Sequence, residues 1–317
     1  MRHKILQIGP LAGCPGADEL LQSKYDVIAL WKAADKQECL KSAADVEVIV
    51  TTAGFGCKRE HIAALPNLKT ICSWGVGYDS FDLDAIKERH IQVSNTPDVL
   101  SDCVADQAWG LLIACARRIA QGDRFVRSND WENKSPPMPL GTRVSGKNLG
   151  IVGLGRIGEA IARRGSGFDM QVRYHNRKPR QGVPYTYVGN LVELAEWADF
   201  LVIATVGGPE TKKLVNREVL KALGPRGIVV NIARGSVIDE QAMIELLASG
   251  ELGGAGLDVF ENEPKVPDAL KKLDNAVLMP HVASATVETR NAMTQLLMDN
   301  LEAYFSGRPL VTPISQL

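Results

Sequence analysis

The sequence lacks any run of about 18 apolar residues, the length a membrane span needs. Its basic start, MRHKILQIGP, carries only a strand-length apolar segment, so no signal peptide is expected either. It also lacks a charge excess. The 36 Lys and Arg nearly balance the 37 Asp and Glu, which leaves no global field to draw nucleic acid or an anionic membrane surface. Cysteine pairs are missing as well. Cys14, Cys39, Cys57, Cys72, Cys103 and Cys115 all fall early in the chain and none forms a C-x-x-C. That pattern fits free or buried thiols of a reducing, cytoplasmic compartment, and neither a disulfide framework nor a metal site. Short-period repeats and low-complexity segments are absent too. At 317 residues, the chain is long enough for two domains with proper cores.

What is present is an alternation of short β-rich runs and helical patterns, the mark of parallel sheets built from βαβ units. The first series of runs is KILQIG, DVIAL, VEVIVTT, LKTICSW and IQVSNT. A helix is predicted from about Leu100 to Gln121, with Val104, Ala108, Leu111, Leu112, Cys115 and Ile119 on one face and Asp98 or Ser101 as its cap. The Pro- and Gly-rich loop NDWENKSPPMPLGTRVSG then leads to a second series: NLGIVG, MQVRYH, DFLVIAT, GIVVNIA, GAGLDVF and AVLMPH. A last amphipathic helix is predicted over residues 286–306, with Ala292, Leu296, Leu297, Leu301 and Phe305 inward. The expectation is an α/β protein of two Rossmann-like or flavodoxin-like domains, each on a parallel sheet, with a cleft between them.

The sharpest local motif is GLGRIG, with Gly153, Gly155 and Gly158, set between a strand and a helical run. The first glycine permits the tight turn, the second lets backbone approach a pyrophosphate, and the third lets helix and strand pack closely. The N–H groups and dipole of the helix start favour the phosphate charge. About 18 residues beyond Gly158, near where a ribose-binding acid belongs, the chain reads YHNRKPR. A carboxylate there would accept from a ribose 2′-hydroxyl and repel a 2′-phosphate. Asn176, Arg177 and Lys178 instead supply neutral and cationic donors, and Arg can engage phosphate bidentately. NADP(H) is therefore expected over NAD(H), the other reading being a solvated basic loop. His175 either stacks on adenine or is simply exposed.

Ligands of open α/β sheets bind at the carboxyl ends of the strands. Successive runs end there in Arg234, in Asp258 leading to Glu263, and in His281. A cation, a carboxylate and an imidazole beside a nucleotide site suit hydride transfer to a 2-keto acid. Arg234 would clamp and polarise the acid, while His281, made a cation beside Glu263, would protonate the developing alkoxide.

Through WGVGYDSFD, VADQAWGLLIA, GIVGLGRIG, NIARGSVIDE, GLDVFENEP and PHVASAT, the chain resembles the D-isomer-specific 2-hydroxyacid dehydrogenase family over nearly its whole length. The resemblance implies the trio Arg234, Glu263 and His281, with Asp258 near the nicotinamide carboxamide. It implies that the backbone of Gly75, Val76 and Gly77 binds the substrate carboxylate. Besides the glycines, it implies cofactor contacts from Leu154, Arg156, Ile157, Thr205, Ile232, Ala233 and Ala283. It further implies a dinucleotide domain over residues 99–285, a substrate domain over 1–98 and 286–317, and a homodimer with Trp131 presented across the interface. Within the family the chain is most similar to NADPH-preferring glyoxylate/hydroxypyruvate reductases. Formate dehydrogenases of the superfamily pair their His with Gln, so Glu263 argues against that chemistry. TVGGPET and HVAS depart from the more usual CPLTPET and HIGS.

The expected activity is reduction of small 2-keto acids, glyoxylate and hydroxypyruvate foremost, D-specific where the product is chiral. A reductase of bulkier acids such as aryl pyruvates, and a dinucleotide-sensing binding protein without turnover, are the alternatives. Phe55 and Trp74 either wall a substrate pocket or are ordinary packing. Asp79 and Asp82 are expected to cap a turn or helix, and Asp102 and Asp106 to cap or make salt bridges. Nothing beside Cys72 or Cys103 signals a reactive thiol.

Overall fold

The structure is a computed structural model that describes residues 2–11, 13–133 and 136–315. It divides into two compact units, Met1–Leu100 with Ala285–Leu317, and Ser101–Ser284. The sequence reading cut the chain at 98/99 and 285/286. The division falls after Leu100 instead because the helix of the second unit begins at Ser101.

The first unit is a five-stranded parallel sheet of β1 (Lys4–Gln7), β2 (Asp26–Ala29), β3 (Val48–Thr52), β4 (Thr70–Trp74) and β5 (Gln92–Ser94), in the order β2-β1-β3-β4-β5. Helices α1 (Ala17–Lys24), α2 (Lys36–Ser42), α3 (Arg59–Ala64) and α4 (Leu83–Glu88) connect them. β3 and β4 are buried along their whole length, as parallel strands covered on both faces must be. Leu6, Ile49, Ile62, Ile71 and Ile86 lie in one core on one side of this sheet. Asp82 caps α4 by accepting from Ala85 N at 2.8 Å.

The second unit begins with α5 (Ser101–Ala116) and α6 (Ile119–Arg127). The single helix predicted to Gln121 is broken, because Arg118 adopts a left-handed φ of 54°. Ile119 consequently leaves the buried face and is exposed. Asp102 and Asp106 make the salt bridges expected of them, to Arg163 and Arg164. The unit continues with β6 (Asn148–Val152), α7 (Arg156–Gly165), β7 (Gln171–His175), β8 (Thr186–Tyr187), α8 (Leu191–Trp197), β9 (Phe200–Ile203) and α9 (Arg217–Leu223). It closes with β10 (Ile228–Asn231), α10 (Glu240–Ser249), β11 (Gly254–Leu257), α11 (Asp268–Lys271) and β12 (Ala276–Leu278). The seven parallel strands run β12-β11-β10-β9-β6-β7-β8. This is the doubly wound order, with its topological switch between β6 and β9. The sequence reading missed β8, whose two residues are too few to show alternation.

The last helix, α12 (Val287–Phe305), returns to the first unit. Thr286 caps it through Thr289 N. Its buried face is rotated from the predicted one: Met293, Thr294, Met298 and Asn300 are buried, while Ala292 and Leu296 are only half-buried. Polar residues on the inner face hid that rotation from an apolar period. No helix among the described residues is long and apolar enough to cross a membrane.

Candidate active site

The glycine turn follows β6 and opens α7. Gly153 has φ 97°, and a Cβ there would come within 2.7 Å of Thr205 Cα and N, so this glycine lets the β6 and β9 ends meet. A Cβ on Gly158 would overlap the Gly153 carbonyl. Gly155 is different, because nothing lies within 4 Å of where its Cβ would be. Two glycines thus serve internal packing, and the middle one keeps space open at the start of a ten-residue helix. The first intrahelical bond here runs from Glu159 N to Gly155 O at 2.9 Å, so Arg156, Ile157 and Gly158 form the first turn of a helix whose N-terminal end favours an anion. These residues fit a dinucleotide pyrophosphate.

Asn176, just beyond β7, ties that turn down. Its Oδ1 accepts from Leu154 N at 2.8 Å, its carbonyl accepts from Tyr187 Oη at 3.1 Å, and Gly153 N donates to His175 O at 2.9 Å. With its amide oxygen engaged, Asn176 has its NH2 group left as the donor. Arg177 pairs with Glu210 at 2.6 Å, both side chains well exposed. Lys178 is exposed beside it. His175 Nδ1 lies 3.0 Å from Val188 O, so its ring is held to the chain on one edge.

The catalytic candidates come from three adjacent strands, β10, β11 and β12, at their carboxyl ends. His281 Nδ1 lies 2.7 Å from Glu263 Oε2, and Phe260 N donates to Glu263 Oε1 at 3.0 Å. Burial alone would raise the Glu263 carboxyl. The bonds from His281 and Phe260 and the charges of His281 and Arg234 outweigh it and hold the group below the usual range. His281 has a left-handed φ of 54°, sparsely populated for a residue other than glycine. Asp258 holds this turn, since its two oxygens accept from Val282 N and Ala283 N, each at 2.9 Å, and its carbonyl accepts from His281 N at 2.8 Å. Asp258 is 0 % exposed, and burial pushes its carboxyl up against the pull of those bonds. The resemblance assigned it to the nicotinamide carboxamide. Here the residue shapes the turn of His281.

Arg234 stands beyond β10, its Nη1 donating to Ala233 O at 2.8 Å. The buried Asn231 forms that turn by accepting from Ala233 N at 3.0 Å and donating to Arg234 O at 2.9 Å. Leu154, Ile232, Ala233 and Ala283 are buried, and the N–H groups of Leu154, Ala233 and Ala283 are bonded internally. They are scaffold of the strand ends. Thr205, expected to contact the cofactor, packs its backbone against Gly153 of the glycine turn.

Within the first unit, Gly75 takes φ 131° after β4 and its N–H donates to Thr96 Oγ1 at 3.0 Å. It is therefore not available to a carboxylate, and only the Val76 and Gly77 N–H groups remain for that part. Trp74 is a core residue and not a pocket wall. It donates from Nε1 to Thr294 Oγ1 at 3.2 Å, and the Arg290 guanidinium stacks 4.7 Å over its ring. Phe55 is half exposed and lies so close to Gly9 that a Cβ there would enter its ring. Trp131 is 70 % exposed. None of the six cysteines is in a disulfide, and among the described residues no cluster of His, Cys, Asp and Glu could hold a metal ion.

The NAD binding domain of the D-isomer specific 2-hydroxyacid dehydrogenases matches residues 109–283. The chain belongs to the D-isomer-specific 2-hydroxyacid dehydrogenases. It is an oxidoreductase with a nicotinamide dinucleotide domain. Among relatives in this family, a hydroxyphenylpyruvate reductase of Plectranthus scutellarioides is 45 % identical over 97 % of this chain and 99 % of its own. A glyoxylate/hydroxypyruvate reductase A of Arabidopsis thaliana is likewise 45 % identical, over the same shares. Of solved structures, an NADPH-dependent glyoxylate/hydroxypyruvate reductase from Sinorhizobium meliloti, in complex with NADP and malonate, superimposes with a TM-score of 0.90 at 40 % identity. It covers 100 % of this chain and 98 % of that one.

The residues missed by sequence reasoning are Asn231, Thr96, Glu210 and Glu240. Thr96, Glu210 and Glu240 act through contacts with separate segments, for which no local spacing is a signal, whereas Asn231 closes a local turn on Ala233 and Arg234.

Proposed function

We propose that this dehydrogenase reduces small 2-keto acids, glyoxylate and hydroxypyruvate foremost, with NADPH in preference to NADH. The observation that carries the chemistry is the 2.7 Å contact of His281 Nδ1 with Glu263, with Arg234 on the neighbouring strand. A bound nicotinamide dinucleotide would supply the hydride. Arg234 orients and polarises the keto acid. Glu263 holds the ring through Nδ1–H, so Nε2–H delivers the proton to the carbonyl oxygen as negative charge gathers there. The half-exposed imidazole then regains a proton from solvent.

The second unit takes the dinucleotide and the first the substrate. Gly155, Arg156 and Ile157 cradle its pyrophosphate, and Asn176, Arg177 and Lys178 face the 2′-phosphate. The protein works as a cytoplasmic homodimer, a reading supported by the exposed Ile119, Val126, Trp131 and Leu140 of the second unit. The plant hydroxyphenylpyruvate reductase supports a second reading, in which the same machinery accepts an aryl pyruvate.

Steady-state oxidation of NADPH and NADH with glyoxylate, hydroxypyruvate and phenylpyruvate separates the readings. Activity confined to phenylpyruvate moves the assignment to the second. Turnover with none of them favours a dinucleotide sensor. His281→Ala is expected to lower kcat by about 10²–10⁴-fold while retaining NADPH binding. Full activity in that variant removes His281 as the acid.

A further inference from the structure

One buried carboxylate beside the site has no part in that chemistry. Glu240 opens α10, is 7 % exposed, and accepts from Glu261 N through Oε2 at 3.1 Å. Burial pushes its carboxyl up, opposed by the Glu261 N–H bond. A carboxylate is an expensive group to bury, and helix capping does not call for it. Asp239 already caps α10, accepting from Ala242 N at 3.3 Å.

The bonded N–H belongs to the Phe260–Glu261 peptide, which is gripped from another side as well. Gly235 packs so tightly on it that a Cβ there would overlap Phe260 C and Glu261 N. The segment from Arg234 to Glu240 therefore holds the turn from Phe260 to Glu263 at two points. From that turn Phe260 N donates to one oxygen of Glu263, and His281 meets the other. We propose that Glu240 is a positioning residue: by anchoring the Phe260–Glu261 peptide, it aims Glu263 at His281 and keeps both in register with Arg234. This rests on the proposed function of the trio.

The consequence is a displaced pH profile. His281 is faced by Glu263, by the buried Asp258 whose charge acts on it, and by Arg234 through Glu263. Among the described residues, Glu263 is the group that bonds the ring. Reduction draws a proton from the imidazolium, so the rate falls as pH rises, and a well-aimed carboxylate postpones that fall. Loss of aim moves the alkaline limb to lower pH. General loosening of the fold would lower the rate at every pH and leave the limb in place.

Glu240→Gln keeps an acceptor for Glu261 N–H. Its kcat/KM is expected within about twofold of the parent, with the limb unmoved. Glu240→Met fills the space without an acceptor. Its kcat/KM should fall roughly tenfold with the limb moved to lower pH. NADPH binding should be unchanged. If the Met variant fails to fold, Glu240→Asp withdraws the oxygen while keeping the charge, and the same downward shift is expected. A folded Met or Asp variant with an unmoved limb, while Glu263→Gln moves it, overturns the role of Glu240 alone. An unmoved limb in Glu263→Gln, with His281→Ala fully active, overturns the trio beneath it.

Discussion

Asn176 stands where a carboxylate would receive a ribose 2′-hydroxyl, and its own oxygen is spent on Leu154 N. Next to it, Arg177 is neutralised by Glu210 across an exposed contact. Such surface pairs are worth only about 0–1 kcal/mol, so a doubly charged phosphate can displace Glu210. Removing the cation should cost more. Arg177→Asp is expected to weaken NADPH by about 1.5–3 kcal/mol, roughly ten- to hundredfold in kcat/KM, and to spare NADH. An unchanged NADPH to NADH ratio would end the 2′-phosphate reading. At this scale the trio and the glycine turn were legible, because each is announced by residue type and local spacing. The pairs Asn176–Leu154, Thr96–Gly75 and Glu240–Glu261 were not, because nothing in a sequence period marks a side chain that bonds a backbone group elsewhere.

The strand that carries the glycine turn and the helix behind it make a second kind of demand. Gly158 is required by the fold, since a methyl there would strike the Gly153 carbonyl, whereas Gly155 faces open space with φ −88°. Gly158→Ala is therefore expected to destabilise the protein by about 1–3 kcal/mol in urea unfolding. Gly155→Ala should leave stability within about 0.5 kcal/mol yet weaken dinucleotide binding measured by protein fluorescence. Equal stability losses in both variants would contradict this division. Eleven of the twelve strands were readable from β-branched runs bounded by turn residues. The break between α5 and α6 was not, because left-handed backbone is expected at Gly or Asn and here falls on Arg118. The true face of α12 was hidden for a related reason. Asn300 is buried there only because Thr312 bonds to its amide at both ends, at 2.9 and 3.1 Å.

Across the whole molecule, Cys57 and Cys72 are sealed inside the first unit, and Cys115 is part-buried in the second. Burial pushes Cys57 and Cys72 of the first unit and Cys115 of the second up to about 12. Thiolate is the reactive form. A thiol reagent at pH 8 should therefore leave all three unlabelled in the native protein and modify them after denaturation, as mass spectrometry would show. Prompt labelling of Cys72 in native protein would contradict its burial. Under mild denaturant, labelling of Cys72 and of Cys115 reports the opening of each unit separately.

The return of α12 to the first unit also bears on the order in which the chain is made. Trp74 is closed over by Arg290 and Thr294, and β5 gains a bridge from Ser94 to Pro313 and a bond from Ile314 N to Val93 O. All these partners are synthesised after the whole of Ser101–Ser284. At ~5–20 residues per second, the emerging first unit waits on the order of ten to forty seconds for its last helix. The half of the protein that leaves the ribosome first is thus the half that finishes second, and in the interval the β4 face beside Trp74 is what a chaperone would meet.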